Sequence, residues 1–237
     1  LRDAINRGWD DFTAYRTDVV LLCVIYPVLG VVLARLIFGY GLLPLLFPLA
    51  SGFALIGPAA AIGLYEMSRR REQGEPVTWI DAFKVFNSPA IGSIFGMGLI
   101  LLALFGVWLG VAYQIGVATL GAETPPTLRM FLQQVFVSDA SPALIAGGIG
   151  AGFLFAAAAF VLSVVSVPLL LDRVVGLWNA IRASLKAVRA NPGPMIAWAA
   201  IIAGALALGS IPLLVGLIVV VPLLGHASWH VYGKLVV

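Results

Sequence analysis

LWNAIRASLKAVRANPGP, residues 177–194, indicates how the whole chain is organised, because two other segments repeat its pattern. The other copies are LRDAINRGWDDFTAYRTD at residues 1–18 and TWIDAFKVFNSP at residues 78–89. Each copy is short, charged and amphipathic, and each is followed by a long apolar run. The pattern predicts a single membrane domain, residues 1–237, built from three repeat units at residues 1–75, 76–175 and 176–237.

The composition excludes a water-soluble domain. Hydrophobic residues make up 61% of the chain and charged residues 11%, whereas soluble domains carry about 25% charged residues. The one cysteine, Cys23, excludes an intrachain disulfide and a cysteine-based metal cluster. The net charge of +3 comes from basic residues beside apolar runs, so it indicates membrane topology and not nucleic-acid binding.

The apolar runs predict an all-α polytopic membrane protein with six transmembrane helices in three hairpins, each preceded by an amphipathic interfacial helix. The predicted spans are residues 19–38, 45–67, 90–119, 143–171, 195–208 and 213–232. If both termini lie in the cytoplasm, Arg35 and Arg129 are on the outer side and the remaining basic residues are on the cytoplasmic side. The positive-inside rule favours this topology. This arrangement is a parallel pseudo-threefold repeat.

The three amphipathic segments are predicted to lie in the headgroup plane with their apolar faces towards lipid. Asp11 falls on the polar side of the first segment. The apolar faces are Ala4, Ile5, Trp9, Phe12 and Tyr15; then Trp79, Ala82, Phe83 and Phe86; then Ala180, Ile181, Leu185 and Val188. We further predict an interfacial helix at residues 128–137.

Polar residues recur where the returning spans reach the cytoplasm. Prolines kink these spans at Pro58, Pro168 and Pro222. Kinked helices that meet on a pseudo-threefold axis would bring together a polar inner cluster. Its predicted members are Glu66, Asp172, His226 and His230.

His226 and His230 are the two histidines of the chain, and their i, i+4 spacing puts both rings on one helical face. This spacing is used by metal-binding helices, so the pair is a candidate metal or haem site, with Glu66 or Asp172 as further ligands. A structural role beside Trp229 and a proton-linked role are the alternatives.

Basic residues near the cytoplasmic ends of the spans are candidates for binding anionic phospholipid headgroups. They form two groups, one in SRRREQ at residues 68–73 and one in the third amphipathic segment. Pairing of Glu66 with Arg69 or Arg70 is the alternative for the first group. The candidates are Arg69, Arg70, Arg71, Arg182, Lys186 and Arg189.

Three motifs resemble a family of bacterial integral membrane proteins of unknown function, DUF2189. They are GLYEMSRRREQGEP at residues 63–76, WNAIRASLKAVRANPG at 178–193 and GHASWHVYGKLV at 225–236. The resemblance implies an inner-membrane protein, mainly of proteobacteria. Some members are labelled cytochrome c oxidase subunit I, but two histidines and six spans are too few for the haem–copper subunit.

No phosphate-binding glycine motif, HExxH or serine elbow occurs in the sequence, so we expect no enzyme activity and no cofactor. The first functional expectation is an accessory or structural subunit that binds other integral membrane proteins, such as a respiratory oxidase. A small-solute or ion channel or transporter with a polar inner mouth is the second. Metal or haem handling by the histidine pair is the third.

Overall fold

The computed structural model describes residues 1–15, 61–121, 127–211 and 214–236, together with a minority of positions between 16 and 60. Every element of this described part is helical. The elements are α1 (Arg2–Ala14), α2 (Ile62–Glu72), a 3₁₀ helix (Trp79–Asn87), α3 (Ile91–Leu120), α4 (Leu128–Val137), α5 (Ser141–Ser163), α6 (Ser166–Asp172), α7 (Leu177–Ala190), α8 (Pro192–Ser210) and α9 (Leu217–Leu235).

Three of the described helical stretches are long and apolar enough to cross a membrane. They are Ile91–Leu120, Ser141–Asp172 and Pro192–Ser210, and they match the predicted spans three, four and five. The first predicted span and most of the second lie outside the described residues. The sixth is helical as α9, but the two histidines, Ser228 and Lys234 lower the hydropathy of its second half. The threefold repeat stays a prediction.

Pro168 interrupts the fourth span. A proline cannot donate a hydrogen bond to the carbonyl four residues earlier, and the helix breaks at residues 164–165, between α5 and α6. Ser184 of α7 satisfies the backbone groups freed there. Its hydroxyl donates to the Val161 carbonyl at 2.7 Å and accepts from the Val165 amide at 3.3 Å. The break therefore fixes α7 against this span through one buried serine.

The chain divides into two compact units. One comprises Leu1–Val28, Gly57–Ile100 and Phe160–Val237, and the other comprises Leu29–Ile56 and Leu101–Ala159. In the second unit, the buried Trp108 ring packs 5.6 Å from the Phe155 ring, and its indole nitrogen donates to the Pro48 carbonyl. The predicted interfacial helix is α4, which Thr127 caps by accepting the Met130 amide.

Helix α9 lies at the centre of the first unit. Its residues 224–232 are all buried, and α1, α2, α6 and α8 pack against it. A helix that is buried on every side is expected to be apolar all round, yet this stretch carries His226, Ser228 and His230. Buried polar groups are usually hydrogen-bonded, and neighbouring helices provide partners for Nδ1 of His226 and for both ring nitrogens of His230.

Helix α1 differs from the prediction that its apolar face points to lipid. Its buried residues are Ala4, Gly8, Asp11 and Phe12, and this face packs against α9. Two small residues one turn apart allow the close approach of the two helices. Asp11 falls on the same face because it lies three residues after Gly8, which places it one turn further along the helix.

The second amphipathic segment begins and ends as predicted but forms a 3₁₀ helix. The Asp81 carboxylate accepts from the Thr78 amide and hydroxyl, each at 2.8 Å, which caps its first turn. With three residues per turn, Ala82 and Val85 share the buried face. Phe83 and Phe86 are exposed, so the predicted common face with Ala82 was wrong.

Candidate functional site

Asp11 is the centre of a polar group in the first unit, which we call the Asp11 cluster. Its members are the buried Asp11, Ser68, His226 and His230 and the exposed Glu72. Helix α1 provides Asp11, α2 provides Ser68 and Glu72, and α9 provides the two histidines. The Asp11 carboxylate oxygen Oδ2 lies 2.6 Å from Ser68 Oγ and 2.8 Å from His230 Nε2. Three helices are therefore joined at one carboxylate oxygen.

His230 lies between two carboxylates. Its Nε2 is 2.8 Å from Asp11 Oδ2, and its Nδ1 is 3.2 Å from Glu72 Oε1. Ionised carboxylates only accept hydrogen bonds, so both ring nitrogens must carry hydrogen, which is the imidazolium form. Glu72 also accepts the Trp229 indole N–H at 2.8 Å. His230 therefore acts as a cation that holds α1 and α2 against α9.

His226 occupies the other end of the cluster, with Nδ1 2.7 Å from Ser68 Oγ. The Ser68 hydroxyl donates its one hydrogen to Asp11, so it accepts from His226, which fixes the Nδ1–H tautomer. In neutral imidazole the other nitrogen, Nε2, then bears a lone pair. This atom is fully buried and has no hydrogen-bond partner within the described part of the chain.

The pKa values of the two carboxyl groups reflect these contacts. Burial alone would raise the pKa of Asp11, but the hydrogen bonds from His230 and Ser68 outweigh burial and lower it below its ordinary value. The hydrogen bond from His230 likewise lowers the pKa of Glu72, against a smaller opposing effect of burial. Both groups are therefore ionised at neutral pH.

Arg71 adds a second contact to Asp11. Its guanidinium nitrogen Nη1 lies 2.6 Å from Asp11 Oδ1, and its guanidinium carbon is 5.7 Å from the centre of the Tyr15 ring, a distance at which cations attract aromatic faces. Both oxygens of the buried carboxylate are thus used, which buried ionised groups require.

Glu66 forms a separate set of ion pairs. Its carboxylate is 2% exposed; Arg69 binds it through two nitrogens at 2.8 and 2.9 Å, and Arg70 binds it at 2.7 Å. Arg70 also contacts Glu75 at 2.6 Å. Arg69, Arg70 and Arg71 therefore all have carboxylate partners within the chain.

The four residues of the predicted polar inner cluster divide into two pairs. His226 and His230 meet Asp11, whereas Glu66 and Asp172 line a pocket of about 440 Å³ with Arg69, Arg70, Lys84 and Arg173. Asp172 is linked to α9 through the hydroxyl of Tyr232, which donates to it at 2.7 Å. Glu66 and Asp172 are therefore placed together, but they are not the partners of the histidines.

The sequence alone did not identify Asp11, Ser68 and Glu72 as residues of this site. Charged residues on an amphipathic helix were assigned to its polar side, although Asp11 lies in register with Ala4 and Gly8 on the face that packs. The register of Asp11 with the small residues Ala4 and Gly8 is the feature of the sequence that could have predicted its burial. A buried carboxylate needs a cationic partner, which directs attention to the histidines. His230, the cation that Asp11 requires, was already a candidate.

The predicted metal site at His226 and His230 stays untested. Among the residues that the structure describes, no three His, Cys, Asp or Glu side chains are grouped to hold a metal ion. Both nitrogens of His230 face carboxylates, so the ligand atom that remains is Nε2 of His226. Structural zinc sites need four ligands and catalytic zinc sites three.

Three helices that are long and apolar enough to cross a membrane define the class of this chain: an integral membrane protein. It belongs to the family described as predicted integral membrane protein (DUF2189), whose model matches residues 46–172. The match includes GLYEMSRRREQGEP and therefore Glu66, Ser68 and Glu72, whereas Asp11 and the two histidines lie outside it. No curated protein and no solved structure matches the chain.

Acid is expected to weaken the Asp11 cluster. Because the folded-state pKa values of Asp11 and Glu72 are lowered, the stability they contribute is complete above about pH 5 and is lost as the pH falls below about 4. Unfolding followed by tryptophan fluorescence in mild detergent from pH 7 to pH 3 measures this loss. The stability of Asp11→Asn should decrease less with falling pH than the stability of the wild type. An equal decrease would show that Asp11 does not contribute to the pH dependence.

Proposed function

We propose that this protein is an accessory subunit, without catalysis of its own, that binds another integral membrane protein. The supporting observation is the exposed side of α8. Small residues recur there every three or four positions, so they form one stripe along the helix. The stripe consists of Gly193, Ala197, Ala200, Gly204 and Ala207, all of them exposed.

The shape of this helix face suits a second helix. The large side chains Ile196 and Leu208, 70% and 68% exposed, flank the stripe, while Met195 and Trp198 are buried on the opposite face. A β-carbon placed on Gly204 would meet nothing within 4 Å. Small residues between larger ones let helix backbones approach closely in lipid, where packing drives association.

A respiratory oxidase is the partner we propose first, because some members of the family carry an oxidase label. We propose that the protein lies in the bacterial inner membrane with both termini in the cytoplasm, because this topology puts most of its basic residues on the cytoplasmic side. The other polar groups then have structural roles, since the Asp11 cluster joins helices of one unit and the Glu66 ion pairs with Arg69 and Arg70 lie within α2. No cofactor is needed for this function.

Bulky residues in the stripe test the proposal. Ala200→Leu combined with Gly204→Leu should abolish co-purification of the partner from native membranes in mild detergent, because leucine blocks the close helix approach. Ala203→Leu is the matched control, since Ala203 is exposed but lies off the stripe. The partner is identified by mass spectrometry and by the absorption spectrum of its haem.

The proposal predicts that wild type and Ala203→Leu retain a stoichiometric partner and that the double variant loses it. Retention by the double variant would contradict the proposed face. A partner without haem would contradict the proposal that the partner is a respiratory oxidase. The proposal that this protein is an accessory subunit would still stand.

A channel or transporter is the second candidate function, and the pocket beside Glu66 and Asp172 favours it. Ionisable residues within membrane-spanning segments often mark ion pathways, and the predicted spans 45–67 and 143–171 place Glu66 and Asp172 at or next to their cytoplasmic ends. Proteoliposomes with imposed K⁺ or Cl⁻ gradients measure the flux. Ion flux in the wild type that is abolished in Asp172→Asn would support transport. If proteoliposomes release these ions no faster than protein-free liposomes, conduction of these ions is contradicted.

A further inference from the structure

One side of α7 carries an aromatic residue and three cations in a row. Trp178, Arg182, Lys186 and Arg189 are all exposed, and spacings of four, four and three residues put them on one side of the helix. The buried residues of α7 are Ala180, Ile181 and Ser184, which lie on the other side. We call the exposed row the α7 basic face.

The cations of the α7 basic face differ from Arg69, Arg70 and Arg71 in their partners. Those three arginines each contact a carboxylate. Within the part of the chain that the structure describes, Arg182, Lys186 and Arg189 form no ion pair with a carboxylate, whereas the other ion pairs there involve Arg7, Arg70, Lys84, Arg173 and Lys234. Three positive charges within two turns therefore remain available to an external anion.

The same three cations surround a shallow depression. Its volume is about 490 Å³, and Leu185 and Ala190 complete its lining. Three cations beside aliphatic side chains on one exposed helix face suit a ligand that is anionic at one end and apolar at the other. A phospholipid with a negatively charged headgroup has this chemistry.

The position of α7 in the chain places this face at the membrane boundary. Helix α7 ends at Ala190, and the candidate span α8 begins at Pro192. Arg189 is therefore three residues from the start of the span, within about 11 Å even for a fully extended chain. Trp178 is typical of the same boundary, where tryptophan rings lie at headgroup depth.

We propose that the α7 basic face binds the phosphate groups of anionic phospholipids in the bilayer that α8 enters. Arg182, Lys186 and Arg189 contact the phosphates, Leu185 and Ala190 contact the glycerol and the first methylenes, and Trp178 lies in the same plane. Of the six basic residues predicted to contact headgroups, the proposal keeps the three on α7, because Arg69, Arg70 and Arg71 contact carboxylates of the protein itself. It does not depend on the proposed subunit role.

Lipid titration of the purified full chain in mild detergent tests this site. Native mass spectrometry counts bound phosphatidylglycerol against phosphatidylcholine with the same acyl chains. Each cation near an anionic surface contributes about five-fold to binding, so R182Q/K186Q/R189Q should lose on the order of 100-fold in phosphatidylglycerol affinity. Its phosphatidylcholine binding should stay unchanged.

Two further variants keep the test decisive. R2Q/R7Q/K234Q removes the same charge from exposed positions and should bind phosphatidylglycerol like wild type. R182K/R189K keeps the charge of the face and should retain binding, which excludes a folding defect as the cause of loss.

Equal loss in both triple variants would overturn the site, as would wild type without a preference for phosphatidylglycerol. Millimolar inorganic phosphate should compete weakly, because it lacks the apolar contacts. Complete displacement of the lipid by phosphate would assign the face to a soluble anion and would also overturn the proposal.

Discussion

Asp11→Asn is expected to destabilise the folded protein by about 3–5 kcal/mol, the cost of removing one partner from a buried ion pair. Asparagine keeps the shape of the side chain but removes the charge that His230 and Arg71 share. The asparagine side chain places either an N–H donor or a neutral oxygen at the position where the Ser68 hydroxyl and His230 Nε2 both donate hydrogen bonds. The three helices therefore lose the charged acceptor that joins them.

Chemical denaturation in mixed micelles, followed by tryptophan fluorescence, measures this change in the free energy of unfolding. Asp10→Asn is the matched control, because Asp10 is the preceding residue on the same helix and is exposed. Surface substitutions of this kind usually change stability by less than about 0.5 kcal/mol. Equal effects of the two substitutions would show that Asp11 does not hold the cluster together.

Gly8→Ala is expected to have the second-largest effect, because α1 and α9 touch at Gly8. A β-carbon at this position would lie 2.7–2.8 Å from the backbone nitrogen, Cα and Cβ of Ala227. Backbone atoms cannot rotate away from such a contact, so the helices must separate and the distances around Asp11 must lengthen. Overpacking of this kind costs about 1–3 kcal/mol.

Gly98→Ala in α3 is the control, because a β-carbon there meets nothing within 4 Å. Alanine is favoured over glycine inside a helix by about 0.5–1 kcal/mol, so this variant should be neutral or slightly more stable. The two substitutions are thus expected to have opposite signs in the same unfolding assay. Stabilisation by Gly8→Ala would contradict the close approach of α1 and α9.

The long helices could be predicted from the sequence because hydropathy alone specifies them. Span three was placed within one residue of α3 at each end, and α4 was placed at its observed bounds. The family was also identified correctly from short motifs such as residues 63–76. Backbone groups in lipid must bond within their own segment, so a long apolar run has few alternatives to a helix.

The partners of the polar residues could not be predicted in the same way. Helical periodicity places Asp11 on a face but does not tell whether that face meets lipid, water or α9. The contact between Asp11 and His230 joins residues 219 positions apart, and it depends on how the helices pack. Similarly, periodicity did not distinguish an α-helix from the 3₁₀ helix that buries Val85.

The cations show how packing changes the interpretation of charge. Arg71 and Arg189 both lie in the last turn of an amphipathic or polar helix, and the sequence predicts headgroup contacts for both. Arg71 instead faces the buried Asp11 carboxylate, whereas Arg189 lies on the exposed side of α7. Only the three-dimensional positions of acidic residues separate a structural cation from one that is available to lipid.

We propose that this protein acts by binding another integral membrane protein. The decisive measurement is native mass spectrometry of the assembly extracted from its own membrane in mild detergent. We expect this chain together with at least one different integral membrane protein at fixed stoichiometry, and loss of that species in the variant that combines Ala200→Leu with Gly204→Leu. A chain recovered alone, or only with copies of itself, would contradict the claim.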